Sequence, residues 1–319
     1  MIQLLPLALA LLQAPSSTHV LVVSGLGGEA TYRRELVTWG TSLVTAAKTL
    51  GVPAGNVIQL AGDSSPSPAL PRATRDRVLA TLQELTRRSR PGDIVLIFLA
   101  GHGSHEGPES RINLPGPDLT AADLSLALEP MNGRRVVVVN ATSASGDFIP
   151  ALSRSGRVII TATKGPYERN ATRFGGQFVA ALAGGGSDAD KDGRVSMLEA
   201  FLFARRETGR IYESDNRLLT EHAVLDDNGD KTGSAAPGAE GEDGALARTI
   251  SLGAAQARVA ASDSTGVRLE REAREIEGRI NVLRGRKATM KEDEFQSQLE
   301  SLLVELALRN EALRARRSP

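Results

Sequence analysis

Two short polar segments carry side chains that could act as a base and a nucleophile. Gly101-His102-Gly103 follows the apolar run 94–99, and Thr142-Ser143 follows the apolar run 136–139. If both runs are neighbouring parallel strands, their carboxyl ends lie about 5 Å apart at one edge of a sheet. An imidazole and a hydroxyl leaving adjacent strand ends can approach each other, as nucleophilic catalysis requires. A lone histidine between glycines is otherwise typical of a turn. A catalytic role for this histidine therefore depends on the hydroxyl segment lying beside it.

A second group of residues has the spacing of an EF-hand calcium loop. Within 188–199, aspartates fall at positions 1, 3 and 5, Gly193 at position 6 and a glutamate at position 12. Three closely spaced aspartates repel one another unless a cation lies among them, and the glycine permits the sharp turn. The alternative is a solvated acidic turn. The expected Ca²⁺ ligands are Asp188, Asp190, Asp192, Arg194 (through the position-7 carbonyl) and Glu199.

Another acid-rich turn follows at 226–230 and contains Asp226, Asp227, Asn228 and Asp230. These oxygens could form a second ion site, but the spacing matches no established loop, so the sequence leaves the question open. His222, just before this turn, is expected to pack or to form hydrogen bonds rather than to bind a metal.

The elements that must position these residues alternate between strands and helices. The fully apolar run 94–99 indicates a strand buried on both faces of a parallel sheet. Alternating strands and helices of this length form right-handed βαβ units. The sequence therefore predicts an α/β fold with a mostly parallel sheet. Strands are predicted over 18–24, 57–60, 94–99, 134–140 and 157–163, and helices over 32–50, 72–88, 174–182 and 197–206.

Two connections can be interpreted as well. A polar loop is predicted from 103 to 118, followed by a short helix that Thr120 caps together with Asp123. The segment Gly25–Ala30 matches G-x-G-x-x-A, a dinucleotide fingerprint. Such a site also needs an acidic residue at the end of the second strand. The first acidic residue there is Asp63, which lies too far along the chain. A loop over the sheet edge is therefore favoured, with a nucleotide site as the alternative.

The two strand-end segments resemble those of the caspase–legumain superfamily of cysteine peptidases, in a bacterial type. There, His-Gly follows one strand, and a cysteine, often in Asp/Glu-Ala-Cys-x-Ser-Gly, follows the next. Ala100–Ser104 and Val136–Gly146 carry the resemblance, which implies a caspase-like three-layer sandwich over roughly 18–225. It implies that His102 is the general base. Alignment on Cys-x-Ser-Gly puts Ser143 at the nucleophile position, and alignment on the residue after alanine puts Thr142 there.

The chain departs from the superfamily because it contains no cysteine. A hydroxyl is a much weaker nucleophile than a thiol and needs a well-placed base, usually oriented by a third group. The acids nearby in sequence, Asp118, Asp147 and Glu106, hold no position that assigns them this role. We therefore expect a catalytically impaired peptidase-like protein that binds peptide or protein and calcium. The alternative is an active serine or threonine hydrolase that uses Ser143 or Thr142 with His102.

Composition limits the partners. The 38 basic and 38 acidic residues cancel, and only 3% of residues are aromatic, so neither charge nor stacking favours nucleic acid. The apolar segment 1–14 is too short to span a membrane stably. It resembles the core of a signal peptide with a cut near Ala14, which predicts an exported, periplasmic or extracellular protein. The alternative is an apolar first element of the fold.

The domain organisation follows from these patterns. We predict a signal peptide over 1–17, a caspase/legumain-like domain over 18–231, a linker over 232–265 and a helical hairpin or coiled coil over 266–319. Apolar residues at near-heptad spacing predict two antiparallel helices in the last segment. Its seam could close on itself, dock on the first domain, or pair with another chain by self-association.

Overall fold

The computed structural model describes most of the chain. The described residues are 16–62, 70–107, 109–184, 186–238, 243–253 and 290–317, together with individual residues between 265 and 283. The predicted signal peptide therefore lies almost wholly outside the described residues, as do parts of the predicted linker.

The main sheet has six strands in the order β2-β1-β3-β7-β8-β9. Its first five members pair in parallel, and β9 is antiparallel to β8. The predicted α/β fold and its five strands are confirmed, and β3 lies in the interior of the sheet with every residue buried. The strands are β1 Thr18–Ser24, β2 Val57–Ala61, β3 Ile94–Ala100, β4 Gly103–Glu106, β5 Glu109–Ile112, β6 Leu119–Thr120, β7 Arg135–Asn140, β8 Arg157–Thr161 and β9 Val224–Asp226.

Helices cover both faces of this sheet and give the predicted three layers. One core cluster joins α1, α5 and α6 to one face, and the other joins α2, α3 and α4 to the opposite face. Val20 and Val22 of β1 belong to the first cluster, and Leu21 and Val23 belong to the second, as the period of a strand requires. The helices are α1 Ala30–Thr49, α2 Arg75–Arg88, α3 Ala121–Leu128, α4 Phe148–Leu152, α5 Phe174–Leu182, α6 Met197–Ser214 and α7 Ala245–Arg248.

The predicted polar loop over 103–118 is wrong. Strands β4, β5 and β6 form a separate three-stranded antiparallel sheet in this region. These strands are four residues long or shorter, and only alternate positions such as Ile112 and Leu119 are buried hydrophobics. Such short, largely polar strands have no clear hydrophobic pattern, so sequence periodicity misses them.

Reciprocal capping boxes begin α3 and α6. Thr120 and Asp123 form the predicted capping box at α3, and Ser196 and Glu199 form another at α6. The Asp123 carboxylate also accepts two hydrogen bonds from the Arg75 guanidinium. Because Arg75 opens α2, this pair joins the first turns of α2 and α3 on one side of the sheet.

The C-terminal segment forms the predicted antiparallel helical hairpin. Ile276, Ile280 and Leu283 pack against Phe295 and Leu302 of the helix Glu292–Arg317. Two ion pairs, Arg279 with Glu305 and Arg309 with Glu272, join residues in opposite chain order, as antiparallel helices require.

Part of the predicted linker is packed against the α/β domain. Ala247 and Ile250 belong to the core cluster that contains α6, and the amide of Met197 donates to the carbonyl of Ile250 at 2.8 Å. Among the described residues, no helix is long and apolar enough to cross a membrane.

Candidate active site and calcium loop

The segments that follow β1 and β3 lie side by side at the carboxyl edge of the main sheet. The segments after β1 and β3 are joined by backbone hydrogen bonds, from the Gly25 amide to the Ala100 carbonyl (2.7 Å) and from the His102 amide to the Leu26 carbonyl (2.9 Å). Gly101 has a φ of 138°, a conformation that favours glycine and turns the chain sharply after β3. The glycine loop at 25–28 therefore lies against the histidine segment, and a nucleotide there stays a prediction.

The structure brings the histidine segment and the hydroxyl segment together, as the sequence predicts. The Ser143 hydroxyl accepts a hydrogen bond from the Gly103 amide at 3.0 Å and donates one to the Gly103 carbonyl at 3.1 Å. Glycine is needed at position 103, because a Cβ there would lie 2.2 Å from the Ser143 carbonyl oxygen. Ser143 is 1% exposed. Its hydroxyl is thus buried and held by backbone.

The Thr142 hydroxyl is also held within the protein. It donates to the Asn140 side-chain carbonyl at 2.7 Å, and Thr142 is fully buried. Asn140 ends β7, so this bond fixes the first turn of the loop that follows the strand. Both candidate nucleophiles therefore contribute hydrogen bonds to the local fold.

The His102 ring packs beside an aromatic ring of α1. It lies 5.1 Å from the Tyr32 ring, centroid to centroid, and a Cβ at Gly28 would be 3.4 Å from its Nε2 atom. Burial raises the pKa of Tyr32 to about 12, so this neighbour of His102 stays neutral at physiological pH. Within the described part of the chain, no hydrogen bond joins the His102 ring to the hydroxyl of Thr142 or Ser143.

The three nearby acids have other partners. The Asp118 carboxylate accepts from the Leu114 amide, Glu106 pairs with Arg111, and Asp147 pairs with His105. These contacts position the loops around the strand ends. None of the three orients the His102 imidazole in the way that a catalytic acid orients its base.

Sequence analysis missed a second polar cluster beside the sheet edge. The Nδ1 atom of His105 lies 3.0 Å from both the Ser110 hydroxyl and an Asp147 carboxylate oxygen. The His105 ring is also 6.4 Å from that of Tyr167, centroid to centroid. His105 and Ser110 lie opposite each other on β4 and β5, so only recognition of this hairpin could have paired them.

Hydrogen bonds also hold the rest of the loop after β7. The Thr163 hydroxyl oxygen accepts from the amides of Ser145 (2.7 Å) and Gly146 (3.1 Å). The Ala144 amide donates to the Glu168 carbonyl at 2.8 Å, and Ala144 has a φ of 51°, uncommon for a non-glycine residue. The Glu168 carboxylate bonds the amide and the ring of His222, which confirms the predicted hydrogen-bonding role of that histidine.

The predicted calcium loop has a regular internal geometry. The position-3 carboxylate, Asp190, accepts from the amide of Asp192 (3.1 Å), and the position-5 carboxylate, Asp192, accepts from the amide of Arg194 (2.7 Å). The position-12 carboxylate, Glu199, accepts from the amides at positions 2 and 3, Ala189 (2.8 Å) and Asp190 (3.3 Å). The backbone turns at positions 4 and 6, where φ is 58° and 87°.

The acids of this loop fit a cation. Oxygens of Asp188, Asp190 and Asp192 lie within 4.8 Å of one another, and the buried Oδ1 atom of Asp188 has no hydrogen-bond partner. Loss of solvent around the Asp190 carboxylate raises its pKa to about 6, and the nearby charges of Asp192 and Glu199 add to the effect. A divalent ion would relieve this repulsion with the hard oxygen ligands that Ca²⁺ prefers.

A comparison with protein families agrees with the predicted resemblance. The Peptidase C13 family model matches residues 76–181, which include His102 and the loop after β7. A search of the curated proteins found no match. The structural matches include the crystal structure of caspase-1 from Spodoptera frugiperda, 11% identical, which covers 67% of this chain and 87% of that chain with a TM-score of 0.46. Residues 76–181 of the α/β domain are therefore similar to the Peptidase C13 family, and the chain contains no cysteine.

Proposed function

We propose that this protein is a pseudopeptidase, a peptidase-like protein that binds peptide or protein without cleaving it. The observation that carries this proposal is the hydrogen bonding of Ser143. A catalytic serine must donate its proton to a base, whereas this hydroxyl donates to the Gly103 carbonyl. The absence of any cysteine removes the nucleophile of the superfamily.

An active serine or threonine hydrolase is the alternative. It would require the Ser143 or Thr142 hydroxyl to exchange its present partner for the His102 ring. The Ser143 bonds join the start of β4 to the loop after β7, and the Thr142 bond holds the turn after β7. Both exchanges would leave buried polar groups unpaired, which costs about 1–3 kcal/mol each. The structure therefore favours the pseudopeptidase.

The binding surface that we propose lies at the carboxyl edge of the sheet. Tyr167 is 82% exposed and projects beside His105 from the segment that follows β8. Exposed aromatic rings beside polar groups contribute strongly to protein and peptide binding. The site would bind a peptide segment through this ring and the polar hairpin of β4 and β5.

Selection from a peptide library tests this surface. Immobilised protein should retain a defined subset of an unbiased peptide mixture, and Tyr167→Ala should lose at least tenfold in affinity for these peptides. Leu126→Ala is the control, because Leu126 is 66% exposed and belongs to α3, not to the hairpin of β4 and β5 or the segment after β8. Equal losses in both variants, or retention of no peptide by the parent, would contradict the proposed surface.

Calcium binding by the loop 188–199 belongs to the same proposal. The loop begins α6 through Ser196 and Glu199, and α6 contributes Phe201 and Ala204 to the core. A bound ion would therefore stabilise the helix that packs beside α5 on one face of the sheet. The supporting observations are the carboxylate cluster and the Asp188 oxygen that lacks a hydrogen-bond partner.

Self-association through the C-terminal helices is a further part of the proposal. Leu303, Val304 and Leu308 of the helix Glu292–Arg317 are 44%, 55% and 54% exposed, so the hairpin has an apolar outer face. Sedimentation velocity should show a dimer or larger species that the double variant Val304→Glu/Leu308→Glu converts to monomer. Leu126→Glu should leave the sedimentation unchanged.

The predicted export of the protein remains a proposal that N-terminal sequencing of the mature chain would test.

A further inference from the structure

The acid-rich turn after β9 has the backbone geometry of the calcium loop. If Asp226 is numbered position 1, positions 3 and 5 are Asn228 and Asp230. The Asn228 side-chain oxygen accepts from the amide of Asp230 at 2.7 Å, and the Asp230 carboxylate accepts from the amide of Thr232 at 2.7 Å. The side chains at positions 3 and 5 of the loop 188–199 bond to the amides at positions 5 and 7 in the same way.

The backbone conformations repeat as well. Gly229 and Lys231, at positions 4 and 6 of the turn, have φ values of 85° and 70°. Lys191 and Gly193, at the same positions of the calcium loop, have φ values of 58° and 87°. The two loops therefore turn at the same places, although the glycine has moved from position 6 to position 4.

A remote carboxylate replaces the position-12 glutamate. The Asp243 carboxylate accepts from the amides at positions 2 and 3 of the turn, Asp227 (3.0 Å) and Asn228 (3.4 Å). Glu199 makes this pair of bonds in the calcium loop. Asp243 belongs to a later segment of the chain, which explains why the spacing of 226–230 alone matches no established loop.

An unpartnered buried oxygen points to a ligand at this turn. Asp226 is 1% exposed, and its Oδ2 atom has no hydrogen-bond partner, whereas Oδ1 accepts from the Gly229 amide. An uncompensated buried carboxylate oxygen is costly.

We propose that this turn is a second divalent-cation site, selective for Ca²⁺. Carboxylate, amide and carbonyl oxygens are hard ligands that suit calcium, and the described site offers no imidazole or thiolate that would favour a transition metal. Asn228 and Asp230 are exposed, so an ion can enter from solvent. The ligands are Asp226, Asn228, Asp230, the backbone carbonyl of Thr232, and Asp243.

The second ion would hold together elements that lie far apart in the sequence. Asp226 is the last residue of β9, and Asp243 precedes α7, whose amide at Ala247 donates to the Asp227 carboxylate at 2.7 Å. The chain then reaches Ser251, which pairs with Ser196 at position 9 of the first loop. One short segment therefore connects the two calcium loops.

Counting bound ions on the full chain tests this site. Equilibrium dialysis against Ca²⁺, followed by metal analysis, should find two ions per chain in the parent, and one in each of Asp190→Ala and Asp230→Ala. Both residues are exposed, so both variants should fold, which circular dichroism checks. Asp293→Ala, an exposed acid on the C-terminal helix, is the control and should keep both ions.

The outcomes separate the two sites. One ion that is lost in Asp230→Ala and kept in Asp190→Ala would support the second site and contradict the first. An ion count that Asp230→Ala leaves unchanged would overturn the second site. If Asp230→Ala does not fold, Asp243→Asn replaces it, because the amide keeps the shape of the side chain while removing its charge.

Discussion

The Ser143 hydroxyl bridges the two backbone polar groups of Gly103, accepting from its amide and donating to its carbonyl. This relationship joins the segment after β3 to the loop after β7, where the predicted resemblance expects a base and a nucleophile. The hydroxyl of Ser143, the predicted nucleophile, therefore has a structural role.

Ser143→Ala should lower the free energy of unfolding by about 1–2 kcal/mol, because the Gly103 amide and carbonyl lose their partner. Urea denaturation measures the change. The exposed hydroxyl of Ser125, which donates to the Ala151 carbonyl, provides the control, and Ser125→Ala should change stability by less than about 0.5 kcal/mol. Equal stability of Ser143→Ala and the parent would contradict a structural role for this hydroxyl.

Gly103→Ala should be among the most destabilising single substitutions, by about 3 kcal/mol, because the new Cβ would meet the Ser143 carbonyl oxygen at 2.2 Å. Gly55→Ala is the matched control, since no atom lies within 4 Å of a Cβ at that position. Thermal denaturation of both variants compares them directly. A melting temperature of Gly103→Ala close to that of Gly55→Ala would show that the strand ends are farther apart than described.

The Arg75–Asp123 pair should make stability depend on acidic pH. Hydrogen bonds from Arg75 lower the pKa of Asp123 to about 2 in the folded protein, against about 3.9 in an unfolded chain. Because the folded pKa is the lower one, the stabilisation is fully present above about pH 4 and is lost as the pH falls towards 2. Arg75→Met should lower the free energy of unfolding only modestly at neutral pH, because Arg75 is 35% exposed and solvent screens the pair.

The measurement is the stability difference between the parent and Arg75→Met at pH 7 and at pH 2.5. This difference should shrink at the lower pH. Arg268→Met is the control, because it removes an exposed partner of Glu272 in the C-terminal hairpin. The stability of the α/β domain should differ between this variant and the parent by the same amount at both pH values. A constant difference for Arg75→Met across the pH range would contradict the prediction.

Calcium should raise the melting temperature of the parent by several degrees, because an ion that binds only the folded state stabilises it by mass action. Asp190→Ala should lose the part of this shift that the loop 188–199 contributes. Differential scanning fluorimetry with Ca²⁺ or with a chelator measures both. Calcium binding at this loop would be contradicted if Ca²⁺ left the melting temperature of the parent unchanged and the parent behaved like Asp190→Ala.

The sequence predicts the layers of the fold well because the signals are local. The apolar run of β3, the capping box of Thr120 and Asp123, and the heptad spacing of the C-terminal helices each reflect neighbours along the chain. The short strands β4 to β6 escape such analysis, because their pairing depends on residues opposite one another rather than on a hydrophobic period.

The site is harder to predict for the same reason. The sequence predicts His102 and Ser143 at one sheet edge, and in the structure the Gly103 amide, next to His102, donates to the Ser143 hydroxyl. That the Ser143 hydroxyl would bond to Gly103 rather than to the imidazole depends on distances that no pattern contains. The partnership of Asp243 with the turn at 226–230 is equally non-local, so this turn becomes recognisable as a calcium-type loop only in three dimensions.

Cleavage of a diverse peptide library in the presence of Ca²⁺ tests the central claim most directly. The mature chain is compared with His102→Ala and Ser143→Ala, and cleavage products are identified by mass spectrometry. A pseudopeptidase cleaves none of these peptides, so we expect no turnover by any of the three proteins. Turnover by the parent that is lost in both variants would contradict this expectation and would establish Ser143 as a nucleophile with His102 as its base.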